Sequence, residues 1–180
     1  MTSINNLTEN NFVTSEIDIR RMLSSCVKCT RITDNTRLVI AHTELPNLRL
    51  DKPGYRKYSL IINSVVDESK IGHWFSILVF QNRYAVICDG LNRVVRDKHV
   101  MQNLQYFCVN NRLILKDLGF LCQGLSSQKC GYIALFFTAK ASVLSYFSFT
   151  KLIRMLNHGS ITTKEEYIMK FVKHHFKTPF

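Results

Sequence analysis

The chain has 180 residues, and 46% of them are hydrophobic, which is enough apolar material for a sizeable folded core. This composition excludes a disordered chain, and the presence of only 3 prolines and 7 glycines argues against long linkers. The net charge is +11, and the second half carries most of the surplus, with 13 basic against 4 acidic groups in residues 91–180. Such a surplus favours a polyanionic partner such as nucleic acid, although a basic protein without one is an equally good interpretation.

The six cysteines and the apolar stretches indicate the redox state of the thiols, and whether a metal site or a membrane helix is expected. A chain of this length is not a small disulfide scaffold, and we expect no signal peptide, so reduced thiols are predicted. Cys26 and Cys29 form a CVKC pair, but no second pair follows at zinc spacing, and no metal site is expected. Within the most apolar stretch, GYIALFFTAKASVLSYFSF, Lys140 lies near the centre and serines dilute the run. We therefore predict a buried helix there and no association with a membrane.

The first elements in chain order are a loose segment and a helix. Residues 1–15 are polar and predicted to be loose, and residues 16–180 are predicted to form a single domain. Ser15 is a candidate N-cap for a helix that runs from Glu16 to about Cys29. Its apolar positions include Ile17, Met22 and Val27. A short apolar run and a loop with a Pro-Gly pair follow, at Leu38–Ile40 and Leu45–Tyr55.

Three strand-like runs come next. Each is apolar and rich in β-branched or aromatic residues, and the last two are joined by the short connector Gln81-Asn82, which predicts a hairpin. The runs are Tyr58–Val66, Trp74–Phe80 and Arg83–Cys88. Their nearly continuous apolarity predicts a sheet that is covered on both faces.

The second half of the chain is predicted to be mainly helical. His99–Val109 has a helical pattern, Arg112–Phe120 is ambiguous, and the segment after Cys130 is apolar on all sides as far as Lys140. A last amphipathic helix is predicted over Lys164–Lys177, with Tyr167, Ile168, Phe171 and Val172 facing inward. The order of elements indicates an α+β fold, with a central buried helix packed against a mostly antiparallel sheet.

Cys130 lies at the border between a polar run and an apolar block, in QGLSSQKCGYIALFF. Ser126 or Ser127 is a credible N-cap, which would place Cys130 in the first turn of a helix, where the dipole and unpaired N–H groups stabilise an anion. Gly131 leaves space for a substrate carbonyl to approach. This layout is typical of a thiolate nucleophile, and the alternative is a small buried hydrophobic residue at a helix start.

A nucleophilic cysteine needs a histidine base and a group that orients it. Among six histidines, His73 is the one at the start of a strand, and the partner strand of the hairpin ends at Asp89. Antiparallel pairing brings the start of one strand beside the end of the next, so we expect His73 and Asp89 to be neighbours. The alternatives are a histidine bonded to backbone and an ordinary Asp-Gly turn.

Four sequence elements occur in a fixed order: the pair His73-Trp74, Asp89 16 positions after His73, Gln123, and Cys130-Gly131 with six residues between Gln123 and Cys130. In this order they resemble the clan of ubiquitin-like-protein-specific cysteine proteases and, within it, the adenain family of adenovirus maturation proteases. The stretches LDKPGYRKYSLIINSVVDESKIGHW and QGLSSQKCG and the amphipathic, basic C-terminus are also similar to adenain. The resemblance covers roughly residues 38–180.

The resemblance implies a role for each of the four residues. Cys130 would be the nucleophile, His73 the general base and acid, and Asp89 the group that orients the imidazole. Gln123 would donate its side-chain amide to the oxyanion, beside the backbone N–H of Cys130. No cofactor is implied for the chemistry itself.

Three features depart from the family pattern. Asp89 replaces the glutamate of adenain, as in the cellular relatives of the clan, and the spacing from His73 is one residue shorter. Adenain is activated by DNA and by a viral peptide that bonds a cysteine. Cys108 falls in that region but four positions away, which makes peptide activation doubtful here while activation by DNA stays open.

The implied function is a cysteine endopeptidase of a virus or virus-like element that cleaves capsid and core precursor proteins during virion maturation. The expected setting is the virion and the infected cell, in the nucleus or a cytoplasmic virus factory, and the protein is expected to be a monomer. Precursor proteins would be its substrates, and double-stranded DNA and an activating peptide its candidate partners. Two alternatives stay open: a deubiquitinase or ubiquitin-like-modifier protease acting on host proteins, and a basic nucleic-acid-binding protein without catalysis.

Overall fold

The computed structural model describes residues 15–25, 37–50, 57–65, 72–125 and 127–176. In this part of the chain, five α-helices and two short 3-10 segments surround a five-stranded sheet, which confirms the α+β class. The α-helices are α1 (Glu16–Ser25), α2 (Lys98–Asn110), α3 (Cys130–Val143), α4 (Tyr146–Asn157) and α5 (Ile161–His175). The strands are β1 (Arg37–Ala41), β2 (Lys57–Asn63), β3 (Trp74–Phe80), β4 (Tyr84–Cys88) and β5 (Ile114–Asp117). The 3-10 segments are His42–Asn47 and Val94–Arg96.

The sheet is mixed, so the prediction of a mostly antiparallel sheet is wrong. Its strand order is β1-β2-β3-β4-β5, and the central pairs β2–β3 and β3–β4 are antiparallel, whereas the outer pairs β1–β2 and β4–β5 are parallel. A parallel neighbour requires a crossover that carries the chain back to the same end of the sheet. Helix α2 lies in the connection between β4 and β5, and the 3-10 segment His42–Asn47 lies in the one between β1 and β2.

The two faces of the sheet bury two separate apolar clusters, as the continuous apolarity of the strands predicted. Alternate residues of β3 point to opposite faces, and every residue of β3 is buried. Trp74 and Leu78 belong to the cluster that includes α1, α3, α4 and α5. Phe75 and Ile77 belong to the cluster on the opposite face, which α2 covers. The sheet therefore separates a face with four helices from a face with one.

The hairpin of β3 and β4 matches the prediction closely. Gln81 and Asn82 both have positive φ, at 55° and 49°, and the N–H of Arg83 donates to the carbonyl of Phe80 at 3.0 Å. Two consecutive left-handed residues are typical of the tight turns that join antiparallel strands. The turn fixes the register of the pair, which continues from Phe80 opposite Tyr84 to Ser76 opposite Cys88.

Helix α3 is the central helix of the larger cluster. All residues from Gly131 to Ala139 are buried, and Nζ of Lys140 lies 4.1 Å from the centre of the Phe171 ring on α5. The prediction of a single helix over the whole apolar stretch is wrong, because α3 ends at Val143 and a second helix, α4, begins at Tyr146. Leu144 is the C-cap of the first helix, and Ser145 caps the second, since its hydroxyl accepts the N–H of Ser148 at 3.2 Å. No helix in the described part of the chain is both long and apolar enough to cross a bilayer.

The first and last helices begin and pack partly as predicted. Ser15 caps α1, because its hydroxyl accepts the N–H of Asp18 at 3.2 Å, and α1 is described as far as Ser25. Of the apolar positions, Met22 is buried together with Ile19 and Leu23, whereas Ile17 is 67% exposed. Residues Cys26–Cys29, including Val27, lie outside the described residues. Helix α5 starts earlier than predicted, at Ile161, and buries Ile168 and Val172, whereas Tyr167 is 43% exposed.

Candidate active site

His73 is fixed by the end of the neighbouring strand. It directly precedes β3, whose first residue, Trp74, pairs with Asn63 at the end of β2. The N–H of His73 donates to the Ser64 hydroxyl at 3.1 Å, and its carbonyl accepts the Ser64 N–H at 2.9 Å. Ser64 therefore holds both the N–H and the carbonyl of His73, as a residue that must present its ring in one direction requires.

Asp89 lies beside His73 across the open end of the hairpin, as the antiparallel pairing predicted. Its Oδ1 atom is 2.5 Å from Nε2 of His73. The same residue also forms the Asp-Gly turn of the alternative interpretation, because its carbonyl accepts the N–H of Asn92 at 3.1 Å. The two interpretations of Asp89 are compatible, since the backbone makes the turn and the side chain contacts the imidazole.

The carboxylate of Asp89 is buried and fully supplied with donors. It is 5% exposed and accepts the backbone N–H groups of Leu91, Arg93 and Val94 at 2.9, 2.5 and 2.8 Å. Burial alone would raise the pKa of Asp89, but the hydrogen bond and charge of His73 together with these N–H groups lower it below its ordinary value. Asp89 is therefore ionised at neutral pH and holds His73 by both charge and geometry.

Cys130 is the first residue of α3 and is partly exposed. Packing of α3 on β3 brings it to His73: three residues after His73, the Ser76 hydroxyl donates to the carbonyl of Ala134, four residues after Cys130, at 2.9 Å. The thiol of Cys130 lies close enough to the imidazole to raise the pKa of His73. The predicted serine cap is wrong, because Lys129 is the N-cap residue and the Ser127 hydroxyl bonds Glu165 instead; Ser126 lies outside the described residues.

The imidazole of His73 lies between the carboxylate and the thiol. Burial would lower its pKa, but hydrogen bonds to Asp89 and Cys130 and the charges of these groups raise it to about 9. Since Asp89 occupies Nε2, Nδ1 is the nitrogen that remains for the sulfur. His73 is thus a cation at neutral pH, and it supplies a positive charge next to the sulfur of Cys130.

Gln123 joins the same site through the turn that follows Asp89. Its backbone N–H donates to the carbonyl of Gly90 at 3.0 Å, and its side chain is 2% exposed. The amide nitrogen donates to the carbonyl of Ser127 at 2.6 Å. One N–H of the amide is used in this bond, which leaves the second for another acceptor. The structure therefore brings together all four residues that the sequence singled out, around the start of α3.

The other candidate groups do not join this site. His42 is buried, and its Nδ1 atom bonds the side-chain amide of Asn103 at 3.0 Å. Cys108 is buried in the α2 cluster, and burial raises its pKa to about 11, which disfavours a disulfide with an incoming peptide. Cys26 and Cys29 lie outside the described residues, and the described ranges hold no cluster of three metal-ligating side chains.

Glu165 is a residue of this region that the motifs did not indicate. It lies on α5, and its carboxylate contacts the segment between Gln123 and Cys130 at Gly124, Ser127 and Lys129. A weak sequence signal did exist, because residues 91–180 hold only 4 acidic groups and two of them, Glu165 and Glu166, are adjacent. Acidic side chains are rarely buried unless they are paired, so a carboxylate that faces inward in this basic half of the chain is expected to have a specific partner.

A scan against protein-family models finds no match to this chain, and a search of curated proteins finds none either. The site must therefore be interpreted from its own chemistry. That chemistry is a partly exposed thiol at a helix start, a partly buried imidazolium, a buried carboxylate and a buried primary amide.

Proposed function

We propose that this protein is a cysteine endopeptidase with an adenain-like fold and site, which cleaves capsid and core precursors during virion maturation. The observation that carries the proposal is the contact between Nε2 of His73 and Oδ1 of Asp89 at 2.5 Å, with the thiol of Cys130, the first residue of α3, close enough to the same imidazole to raise its pKa. Structural histidines are common. An imidazole that lies between a thiol and a carboxylate is instead the arrangement of a base, its nucleophile and the group that orients the base. The thiol is partly exposed whereas Asp89 and Gln123 are buried, which supports the same interpretation.

Each residue has a defined role in the proposed reaction. The sulfur of Cys130 attacks the scissile carbonyl carbon while His73 holds the proton of the thiol, and the carbonyl electron pair moves to oxygen. When the intermediate collapses, the C–N bond breaks and His73 gives its proton to the leaving amine. Water then attacks the thioester with His73 as base, which releases the carboxylate product and restores Cys130. Asp89 stays ionised throughout and keeps Nδ1 directed at the sulfur.

Gln123 and the start of α3 stabilise the oxyanion in this proposal. The backbone N–H of Cys130 and the second amide N–H of Gln123 are the donors, and the positive end of the α3 dipole adds to them. Because Gln123 is buried and already bonded to Ser127, its amide is oriented before substrate binds. A preoriented donor loses no free energy to reorganisation during the reaction.

The viral setting rests on the resemblance of the motifs, and the charge distribution is compatible with it. Adenain-like specificity implies small residues, especially glycine, around the cleaved bond. Arg93, Arg96 and Lys98 are exposed at the start of α2 and provide a basic group that could hold the enzyme on packaged DNA. Salt-sensitive binding to duplex DNA is therefore part of the proposal.

The test compares the wild-type protein with Cys130→Ala on precursor proteins and on fluorogenic peptides with glycine at the cleaved bond. Cys108→Ala is the matched control, because it removes a thiol from the α2 cluster, away from the site. We expect cleavage by the wild type and the control, and none by Cys130→Ala. Cleavage by Cys130→Ala, or its absence in all three proteins with DNA present, contradicts the proposal.

A ubiquitin-type suicide probe separates this proposal from a deubiquitinase. Rapid labelling of Cys130 by the probe, without cleavage of the precursors, would assign the same chemistry to a host modifier protein. DNA binding without labelling by any electrophilic peptide would instead favour a non-catalytic nucleic-acid-binding protein.

A further inference from the structure

The carboxylate of Glu165 contacts the segment that joins Gln123 to Cys130 at three points. Its Oε2 atom accepts the backbone N–H of Gly124 at 3.2 Å, and its Oε1 atom accepts the Ser127 hydroxyl at 3.1 Å. Oε1 also pairs with Nζ of Lys129 at 2.9 Å. The side chain of Glu165 is only 14% exposed. One carboxylate thus holds the residue after Gln123 and the residue before Cys130.

Ser127 links this carboxylate to the amide of Gln123. The hydroxyl of Ser127 donates to Glu165, while its carbonyl accepts Nε2 of Gln123 at 2.6 Å. A change at Glu165 therefore moves the acceptor that orients the Gln123 amide. The Oε1 atom of Gln123 is buried without a hydrogen-bond partner in the described part of the chain, so Ser127 is what fixes the rotation of this amide.

The helix that carries Glu165 is itself anchored on both sides. The preceding residue, Lys164, is 8% exposed, and its Nζ atom donates to the carbonyl of Leu121 at 3.1 Å. Ring contact between Phe171 of α5 and Phe136 of α3, at 5.2 Å between centres, fixes α5 against the helix of Cys130. Glu165 is therefore a rigid support, which is what a residue that positions a catalytic loop requires.

We infer that Glu165 is a positioning residue that sets the oxyanion hole by fixing the loop between Gln123 and Cys130, an inference that rests on the proposed function. Glu165 touches neither the thiol nor the imidazole, so it acts on the transition state through Ser127 and Gln123. The ion pair with Lys129 places the same constraint on the residue that leads into α3. Loss of the carboxylate would leave the thiol and its base in place and misplace the oxyanion donor.

The test uses Glu165→Gln, which keeps the shape of the side chain and removes its charge. Glu166→Gln is the matched control, because Glu166 is the adjacent residue, is exposed, and lines the same groove of about 840 Å³ beside Gly124 and Lys129. The readouts are kcat and KM on a fluorogenic peptide, the Ki of a peptide aldehyde, and the rate of Cys130 alkylation by iodoacetamide. The aldehyde forms a hemithioacetal whose oxygen occupies the oxyanion hole, whereas alkylation needs only the thiol and imidazole.

For Glu165→Gln, we expect kcat to fall and the aldehyde Ki to rise by about 10- to 100-fold, because a misplaced oxyanion donor loses most of its effect. KM and the alkylation rate should stay within about twofold, and Glu166→Gln should match the wild type on every readout. Ser127→Ala should reproduce part of the effect, and the double variant with Glu165→Gln should add little to the larger single effect.

Equal aldehyde Ki values for Glu165→Gln and the wild type overturn the inference and leave the protease proposal standing. A fall in alkylation rate parallel to the loss of kcat also overturns it, because that result indicates general loosening of the site. If the wild type forms no aldehyde adduct and cleaves no peptide, the proposed function fails first and the inference fails with it.

Discussion

Asp89 and His73 are joined side chain to side chain, with 2.5 Å between Oδ1 and Nε2, at the open end of the β3–β4 hairpin. The same carboxylate accepts three backbone N–H groups from the turn that follows it. The turn therefore fixes the carboxylate, and the carboxylate fixes the imidazole. A substitution in the turn or at Asp89 should therefore change the orientation of the imidazole.

Asp89→Asn should lower kcat/KM by about 10² to 10⁴-fold, because the amide neither favours the charged imidazole nor holds the correct tautomer. Asp117→Asn is the matched control, since Asp117 also lies at the end of a strand and accepts a backbone N–H, from Gly119 at 2.8 Å, but is exposed. Peptide cleavage and thermal unfolding should be measured for both variants. Equal kcat/KM values for the two variants would show that Asp89 acts only as a turn residue.

Gln123→Ala should lower kcat by about 10² to 10³-fold with little change in KM, since an oxyanion donor acts in the transition state. The variant also leaves the carbonyl of Ser127 without its 2.6 Å donor, so unfolding must be followed in parallel. Gln102→Ala, on the exposed side of α2, is the control for loss of a glutamine amide. A kcat for Gln123→Ala within about twofold of the wild-type value would show that Gln123 does not stabilise the oxyanion.

Gly90→Ala should lower kcat about tenfold through a small displacement of Gln123. An added Cβ would lie 3.2 Å from Oε1 of Gln123 and 3.1 Å from Cγ2 of Ile133, while the backbone at Gly90 needs no left-handed φ. In Gly159→Ala, the added Cβ meets its nearest atom at 3.5 Å, so this variant controls for the loss of a glycine. Steady-state kinetics should be measured for both variants. An unchanged kcat in Gly90→Ala would show that the added Cβ is accommodated without displacing Gln123.

The pH dependence of stability should report the charge of His73. Its pKa is raised from 6.5 to about 9, so the charged form stabilises the fold fully below pH 6.5, and this stabilisation is lost as the pH rises through about 9. The shift corresponds to roughly 3 kcal/mol. Urea unfolding should show that the free energy of unfolding falls more between pH 6 and pH 9.5 for the wild type than for His73→Gln. Parallel losses in the two proteins would contradict a raised pKa at His73.

Local patterns predicted the part of the site that lies on one hairpin. The contact between His73 and Asp89 follows from antiparallel pairing of two short, strongly apolar strands, and Cys130 at a helix start follows from the border of polar and apolar residues. The α+β class and the doubly covered sheet follow from the same patterns. These features depend on neighbours in sequence or on a tight turn.

Features that depend on distant contacts were not predictable in this way. The parallel placement of β1 and β5 depends on crossovers that the strand sequences do not encode locally. The sequence predicts Ser126 or Ser127 as a helix cap, but Ser127 bonds Glu165, which lies 38 residues further along the chain. Local propensity favours the cap, and tertiary packing of α5 overrides it. The break between α3 and α4 has no Gly or Pro to mark it, because the chain passes from Val143 through Leu144 and Ser145 to Tyr146.

The most direct test of the account is the rate at which iodoacetamide alkylates Cys130 at pH 6, in the wild type and in His73→Gln, with buried Cys122 as internal reference. A thiol whose proton has passed to a neighbouring imidazole reacts at a pH where an ordinary thiol is almost fully protonated. We expect Cys130 of the wild type to react at least about tenfold faster than Cys122, and His73→Gln to lose this advantage. Equal rates at Cys130 in the two proteins would contradict a working pair of Cys130 and His73.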